Sequence, residues 1–164
     1  MSPSRAAARP VLNRRRAARF AAVQALYQIE LGQVAATEVV AEFGEHRLAQ
    51  LLEAVDDGPG SPEVDREWFA IVVLGTAAAR ETLDPAIEAS LASGWTLLRC
   101  GYLLRACLRA GAFELAERTD VPVKVVINEY VELAHLFFDE SEAGFVNAVL
   151  DRLAPRLRDA TKAL

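Results

Sequence analysis

Asn13-Arg14-Arg15-Arg16-Ala17-Ala18-Arg19-Phe20-Ala21-Ala22-Val23-Gln24-Ala25-Leu26-Tyr27-Gln28-Ile29-Glu30-Leu31-Gly32 is the stretch that decides the fold class. Phe20, Val23, Tyr27 and Leu31 recur at the spacing of one helical face, with Leu26 beside them. Asn13 is a good cap ahead of that face and Gly32 a good stop behind it. The rest of the chain repeats this grammar. Thr37 heads a second predicted helix that carries Val40, Phe43, Leu48, Leu51 and Leu52 and ends before Asp56. Asp57-Gly58-Pro59-Gly60 reads as a loop, and Ser61-Pro62-Glu63 as a capped start for a helix with Trp68, Phe69, Ile71, Val72 and Leu74, ending near Leu83. Asp84-Pro85 looks like a second start, for a short helix to about Ala92 broken by Ser93-Gly94. Further helices are expected over 96–117, from Asp120-Val121-Pro122 to about Phe138, and from near Ser141 to Pro155. No alternating pattern survives as a strand, so the expected class is all-α, with about seven helices.

Length and composition agree. One hundred and sixty-four residues suit one ordinary domain, and 52% apolar with 25% charged residues reads as a soluble globular chain. The longest uncharged apolar run, Trp68 to Ala79, is too short to cross a bilayer. The expected organisation is a flexible basic arm over 1–12, one helical domain over 13–157 and a fraying tail over 158–164. The arm has no apolar signal-peptide core, so neither secretion nor membrane insertion is expected. Cys100 and Cys107 lie two turns apart on a predicted helix, about 10 Å, too far for a disulfide. They fit half-buried or core thiols of a reducing cytoplasm.

The charge is split along the chain. Residues 1–19 hold six arginines (Arg5, Arg9, Arg14, Arg15, Arg16 and Arg19) and no acid, whereas the remainder holds 12 basic and 23 acidic residues. A basic edge on an acidic body is the asymmetry of a nucleic-acid contact, and the body suits a basic protein partner. Arginines in a first helical turn oppose the helix dipole at a few tenths of a kcal/mol each. A local rule broken without structural gain points to function. Arg15, Arg16 and Arg19 fall on one arc, and Arg16 continues the line of Phe20, Val23 and Tyr27. Guanidinium groups beside an aromatic ring suit phosphate pairing and base stacking on single-stranded RNA. The competing reading has the arginines neutralising acidic neighbours, with Tyr27 in the core.

Catalysis is not expected. His46 and His135 sit on separate amphipathic helices and read as surface or satisfied residues. No Gly-rich phosphate loop, paired-Asp motif or Gly-x-Ser-x-Gly turn occurs. Glu129 and Glu132, one helical turn apart, have no nucleophile or metal ligand beside them and read as a solvated face or as ion-pair partners. Neither a cofactor nor a metal is expected.

The chain resembles the NusB family of bacterial transcription antitermination factors. Arg14-Arg15-Arg16-Ala17-Ala18-Arg19 with Ala22-Val23-Gln24-Ala25-Leu26-Tyr27 carries the likeness. So do Asp120-Val121-Pro122-Val123-Lys124-Val125-Val126-Ile127-Asn128-Glu129 with Val131-Glu132-Leu133-Ala134, and Phe145-Val146-Asn147-Ala148-Val149-Leu150-Asp151. Arg109 and Phe113-Glu114-Leu115 fit a further family segment, while residues 35–95 match in pattern more than identity.

The resemblance implies two small helical bundles packed into one compact body. It implies binding of boxA, a short single-stranded element of ribosomal RNA leader transcripts, together with the ribosomal protein NusE. It also implies a complex with RNA polymerase, NusA and NusG that reads through terminators in the cytoplasm. A homodimer that hides the binding surface is a further possibility of the resemblance. Carried over by position, Arg15, Arg16 and Arg19 match the family's RNA-binding arginines, Tyr27 its tyrosine near RNA and partner, and Phe145 and Asn147 its Phe-Val-Asn segment. Phe145 can serve as a second stacking surface or as core. Asn128 and Glu129 read as structural hydrogen-bonding residues. The sequence departs from the family at Gly144, Ala148 and Leu104. Two other readings stay open: an RNA-positioning domain like that ahead of ribosomal RNA cytosine methyltransferases, and a protein-only helical adaptor. No AdoMet-binding loop or catalytic Pro-Cys favours the former.

Overall fold

A computed structural model describes residues 13–53 and 62–159. The expected basic arm with Arg5 and Arg9, the Asp57-Gly58-Pro59-Gly60 loop, the Ser61 cap and residues 160–164 lie outside them. The described residues form seven α-helices: α1 (Arg14–Gly32), α2 (Ala36–Glu45), α3 (Arg47–Glu53), α4 (Pro62–Ser90), α5 (Tyr102–Glu117), α6 (Val123–Phe137) and α7 (Glu140–Ala154). A 3₁₀ turn (Leu98–Cys100) precedes α5, and a π turn (Pro155–Asp159) follows α7. No strand occurs among the described residues.

α1 starts as its sequence dictates. The Asn13 side-chain oxygen accepts the backbone N–H of Arg16 at 2.8 Å. Its end differs from expectation. Gly32 is still helical, and Gln33 takes the left-handed conformation at φ 51°. The glycine serves a close approach instead, since a Cβ there would lie 2.9 Å from Val34 Cγ2.

Three expected boundaries are corrected. The helix predicted from Thr37 is two helices, with the break at His46, and its N-cap is Ala35, without a side-chain cap. The break expected at Asp84-Pro85 does not exist, and Pro85 lies inside the 29-residue α4. Proline removes one backbone donor there, while Asp84 is held from outside by Arg109, Nε to Oδ1 at 2.8 Å and Nη2 to Oδ2 at 2.9 Å. The helix expected over 96–117 begins only at Tyr102, because Gly101 sits at φ 81°, where L side chains are strained.

α5 is the central element. Every residue from Arg105 to Leu115 is buried, the mark of a helix enclosed on all sides. α1 and α4 pack on one side of it, α6 and α7 on another, and α2 and α3 lie against α1. Small residues permit the close packing: Gly75 of α4 faces the Phe113 ring, and Gly111 faces Leu150. Of the tail expected to fray from residue 158, the first residue is held in place. Arg158 is buried and donates to the carbonyls of Glu114, Leu115, Arg118 and Val121 at 2.6–3.1 Å, fastening the turn after α7 to the end of α5.

Candidate nucleic-acid interface

The first turns of α1 divide the three expected arginines by environment. Arg19 is 3% exposed, and its Nε and Nη2 each donate to Glu114 of α5 at 2.8 Å. Burial opposes its charge, but the hydrogen bonds and charge of Glu114 prevail and hold the guanidinium pKa above its ordinary value. Tyr130 of α6 donates its hydroxyl to the same carboxylate, and burial first of all keeps that phenol well above its usual range. Arg16 is half-buried and donates through Nε and Nη2 to Glu129 of α6, at 2.8 and 3.0 Å. That bond raises its pKa. Glu129 is thus the ion-pair partner that the sequence offered as one reading.

Arg15 behaves differently. Its guanidinium lies over the ring of Trp68, 4.2 Å from the centroid. Arg118, after α5, covers the same ring at 4.7 Å and Arg19 approaches it at 5.4 Å. Sequence reading placed Trp68 in the core and gave Arg118 no role. Trp68 is indeed buried, but it works as the plate that gathers cations from α1 and from the α5–α6 connection. No signal in the linear sequence joins positions 15, 68 and 118.

Tyr27 stands about 18 Å along α1 from Arg15. It is half-buried, edge-on to Tyr102 with centroids 6.4 Å apart, and so belongs to another neighbourhood. There Glu30 accepts from Arg105 Nε at 2.8 Å, from Arg80 Nη2 at 3.0 Å and from Arg109. Burial would raise the Glu30 carboxyl, but the bonds from Arg109 and Arg105 take it below its ordinary value. Phe145 is half-buried and tilted against Trp95 at 5.7 Å. Asn147 is exposed, and two residues on a helix turn it about 200° away from Phe145.

The six expected residues are therefore not one cluster. An aromatic path joins two of their neighbourhoods. Phe20, one turn beyond Arg16, stacks on Phe137 at 4.7 Å and 2°. Phe137 meets Phe138 at 6.1 Å, and Phe138 lines a cleft together with Phe145 and Trp95. Cations at one end and half-buried rings along the surface can receive phosphates and unstacked bases. His46 and His135 are exposed, and no cluster of three metal-ligating side chains occurs among the described residues. No helix of the described residues is long and apolar enough to cross a membrane.

Comparison with known proteins follows the same lines. The chain matches the model of the NusB family over residues 16–155. It is 49% identical over 150 residues to the transcription antitermination protein NusB of Rhizobium rhizogenes strain K84, covering 92% of this chain and 91% of that one. The solution structure of NusB from Aquifex aeolicus superposes with a TM-score of 0.70 at 25% identity, over 93% of this chain and 94% of that one. A crystal structure of the antitermination factors NusB and NusE in complex with dsRNA has the same fold, with a TM-score of 0.67 at 24% identity over 87% and 97% of the two chains.

Proposed function

This chain belongs to the NusB family, and on that premise we propose that it is an RNA-binding transcription antitermination factor rather than an enzyme. Its ligand is the single-stranded boxA element of ribosomal RNA leader transcripts, bound together with the ribosomal protein NusE. The assembly acts with RNA polymerase, NusA and NusG to carry transcription past terminators. The observation that carries this reading is the path from the arginines of α1 through Phe20, Phe137 and Phe138 to Phe145.

Each residue has a distinct part in it. Arg15, seated on Trp68, and the half-buried Arg16 meet phosphates. Arg19 acts from below, fixing α1 against α5 through Glu114. Phe145 packs against a base at the end of the path. Tyr27, beside Tyr102 and the Glu30 cluster, lies where RNA and protein partner meet. Asn147 marks the exposed side of α7, available to a backbone or a partner.

With Arg19 buried on Glu114, and Arg15 and Arg16 left at the surface, fewer phosphates are neutralised than the arginine count of the sequence suggests. Four would give a log–log salt slope near −3 on single strands; about two give a slope between about −1 and −2. A gel shift with boxA RNA and a scrambled control, at several salt concentrations and with or without NusE, tests the reading. Preference for boxA, a slope in that interval and tighter binding with NusE are expected. Capture of NusE with indifference to RNA sinks the RNA reading and leaves a protein-only adaptor, which the buried Arg19–Glu114 pair would equally serve.

A further inference from the structure

Where the aromatic path ends, the loop after α4 and the start of α7 enclose a cleft of about 380 Å³, lined by Trp95, Arg99, Leu104, Phe138, Glu142 and Phe145. That is near the lower end of small-ligand cavities. Trp95 is 48% exposed, unusual for the largest apolar side chain unless it meets a partner. We propose that this cleft binds one unstacked guanine of single-stranded RNA, with Trp95 as the stacking plate, Arg99 on the adjoining phosphate and Glu142 reading the base edge. The inference rests on the RNA-binding reading and assigns Trp95, Arg99 and Glu142 to it.

The geometry sets the pose. Trp95 and Phe145 are 5.7 Å apart at an interplanar angle of 50°. No third ring fits between them, since each stacked contact takes about 3.5 Å. The base enters the open side of this wedge, its plane on Trp95 and its edge toward Phe145. Arg99 lies 5.7 Å from the Trp95 centroid, near the outer limit of a cation–π contact. Its Nη1 donates to Gly94 O at 2.9 Å, which holds the side chain over the rim and leaves other donors of the five for a phosphate. Glu142 stands in the first turn of α7, where the helix dipole favours a carboxylate, and Ser141 Oγ donates to its Oε2 at 2.9 Å. An ionised carboxylate only accepts. Guanine presents two adjacent N–H donors to it, whereas uracil presents one N–H flanked by carbonyl oxygens that the carboxylate repels.

The test uses the full chain and two probes, the single-stranded RNAs UUGUU and UUUUU, with affinity read by the anisotropy of a fluorophore on the RNA and stacking by tryptophan fluorescence. Trp95 is the exposed indole and Trp68 the buried one. UUGUU should quench the exposed emission and bind about tenfold more tightly than UUUUU. Trp95→Phe should keep that preference and lose the quenching, while Trp95→Ala should lower UUGUU affinity about tenfold. Glu142→Gln should bring the two RNAs close to equal affinity. Equal binding by the unaltered chain, or boxA binding that leaves Trp95 emission unchanged, overturns this inference and spares the RNA reading. Failure to bind any RNA, boxA included, overturns both.

Discussion

The guanidinium of Arg19 on α1 and the carboxylate of Glu114 on α5 form a two-bond ion pair, 2.8 Å through each bond, with both side chains buried. It turns one cation of a basic surface helix inward and ties that helix to the centre of the fold. Tyr130 completes the carboxylate's hydrogen bonds from α6, so three helices meet at one charge. A carboxylate so placed tolerates burial only while its partners stay.

Removing one partner should therefore cost far more than a surface change. Glu114→Ala is expected to lower unfolding free energy by about 3–5 kcal/mol, by stranding the Arg19 charge. Tyr130→Phe should cost about 1.5–3 kcal/mol, the worth of a hydrogen bond to a charged group. Urea unfolding followed by circular dichroism checks both, and a loss under about 1 kcal/mol for Glu114→Ala contradicts the role given to the pair.

Arg15 should behave in the opposite way. Arg15→Ala removes a cation from the surface and a contact with Trp68 worth about 0.5–1 kcal/mol. Stability should change little, while the salt slope for RNA should shrink by about 0.7. Salt titrations of the variant and parent decide this, and an unchanged slope removes Arg15 from the phosphate contacts.

Glu30 gives a pH dependence with a definite sign. Its folded carboxyl lies below the ordinary 4.5: burial raises it, but the bonds from Arg109 and Arg105 outweigh burial. The unfolded chain thus takes up this proton first as pH falls. The stabilisation is complete above about 4.5 and is lost as pH drops through the folded value. Urea midpoints from pH 7 to pH 3 should fall at the acidic end, and Glu30→Gln should be weaker at pH 7 with a flatter acidic fall.

Packing between α4 and α5 leaves no room for a methyl group at Gly75. A Cβ there would lie 2.3 Å from Phe113 Cζ. Gly75→Ala should lower stability by about 1–3 kcal/mol despite alanine's better helix propensity. Pairing it with Phe113→Leu should recover part of the loss, a comparison open to thermal unfolding.

The thiols should differ in reactivity. Burial pushes the Cys107 thiol up to about 12; burial also raises the Cys100 thiol, but that side chain is only partly buried and can be reached from solvent. Iodoacetamide at pH 8 should label Cys100 slowly and leave Cys107 untouched until denaturant is added. Early labelling of Cys107 would mean that α5 opens locally.

Much of the fold is legible in residue order. Asn13, the stripe of Phe20 and Val23, and Pro122 each act locally, and α1 and α6 begin where they indicate. Local signals failed where tertiary partners overrode them. Asp84-Pro85 looks like a helix start, but Arg109 holds Asp84 from another helix and α4 runs on. The tail looks unanchored, but Arg158 reaches four carbonyls around the end of α5.

The sequence by itself determined an all-helical chain, a cationic start to its first helix and the family to which it belongs, because capping, periodicity and charge order are properties of neighbours along the chain. Which arginine meets solvent and which a carboxylate was decided only by tertiary structure. Arg15, Arg16 and Arg19 carry the same group on the same arc, yet Trp68, Glu129 and Glu114 come to them from α4, α6 and α5. The reach and burial of those partners fix what each cation can do. The same holds for Trp95, whose place beside Phe145 arises from a contact across fifty residues of chain.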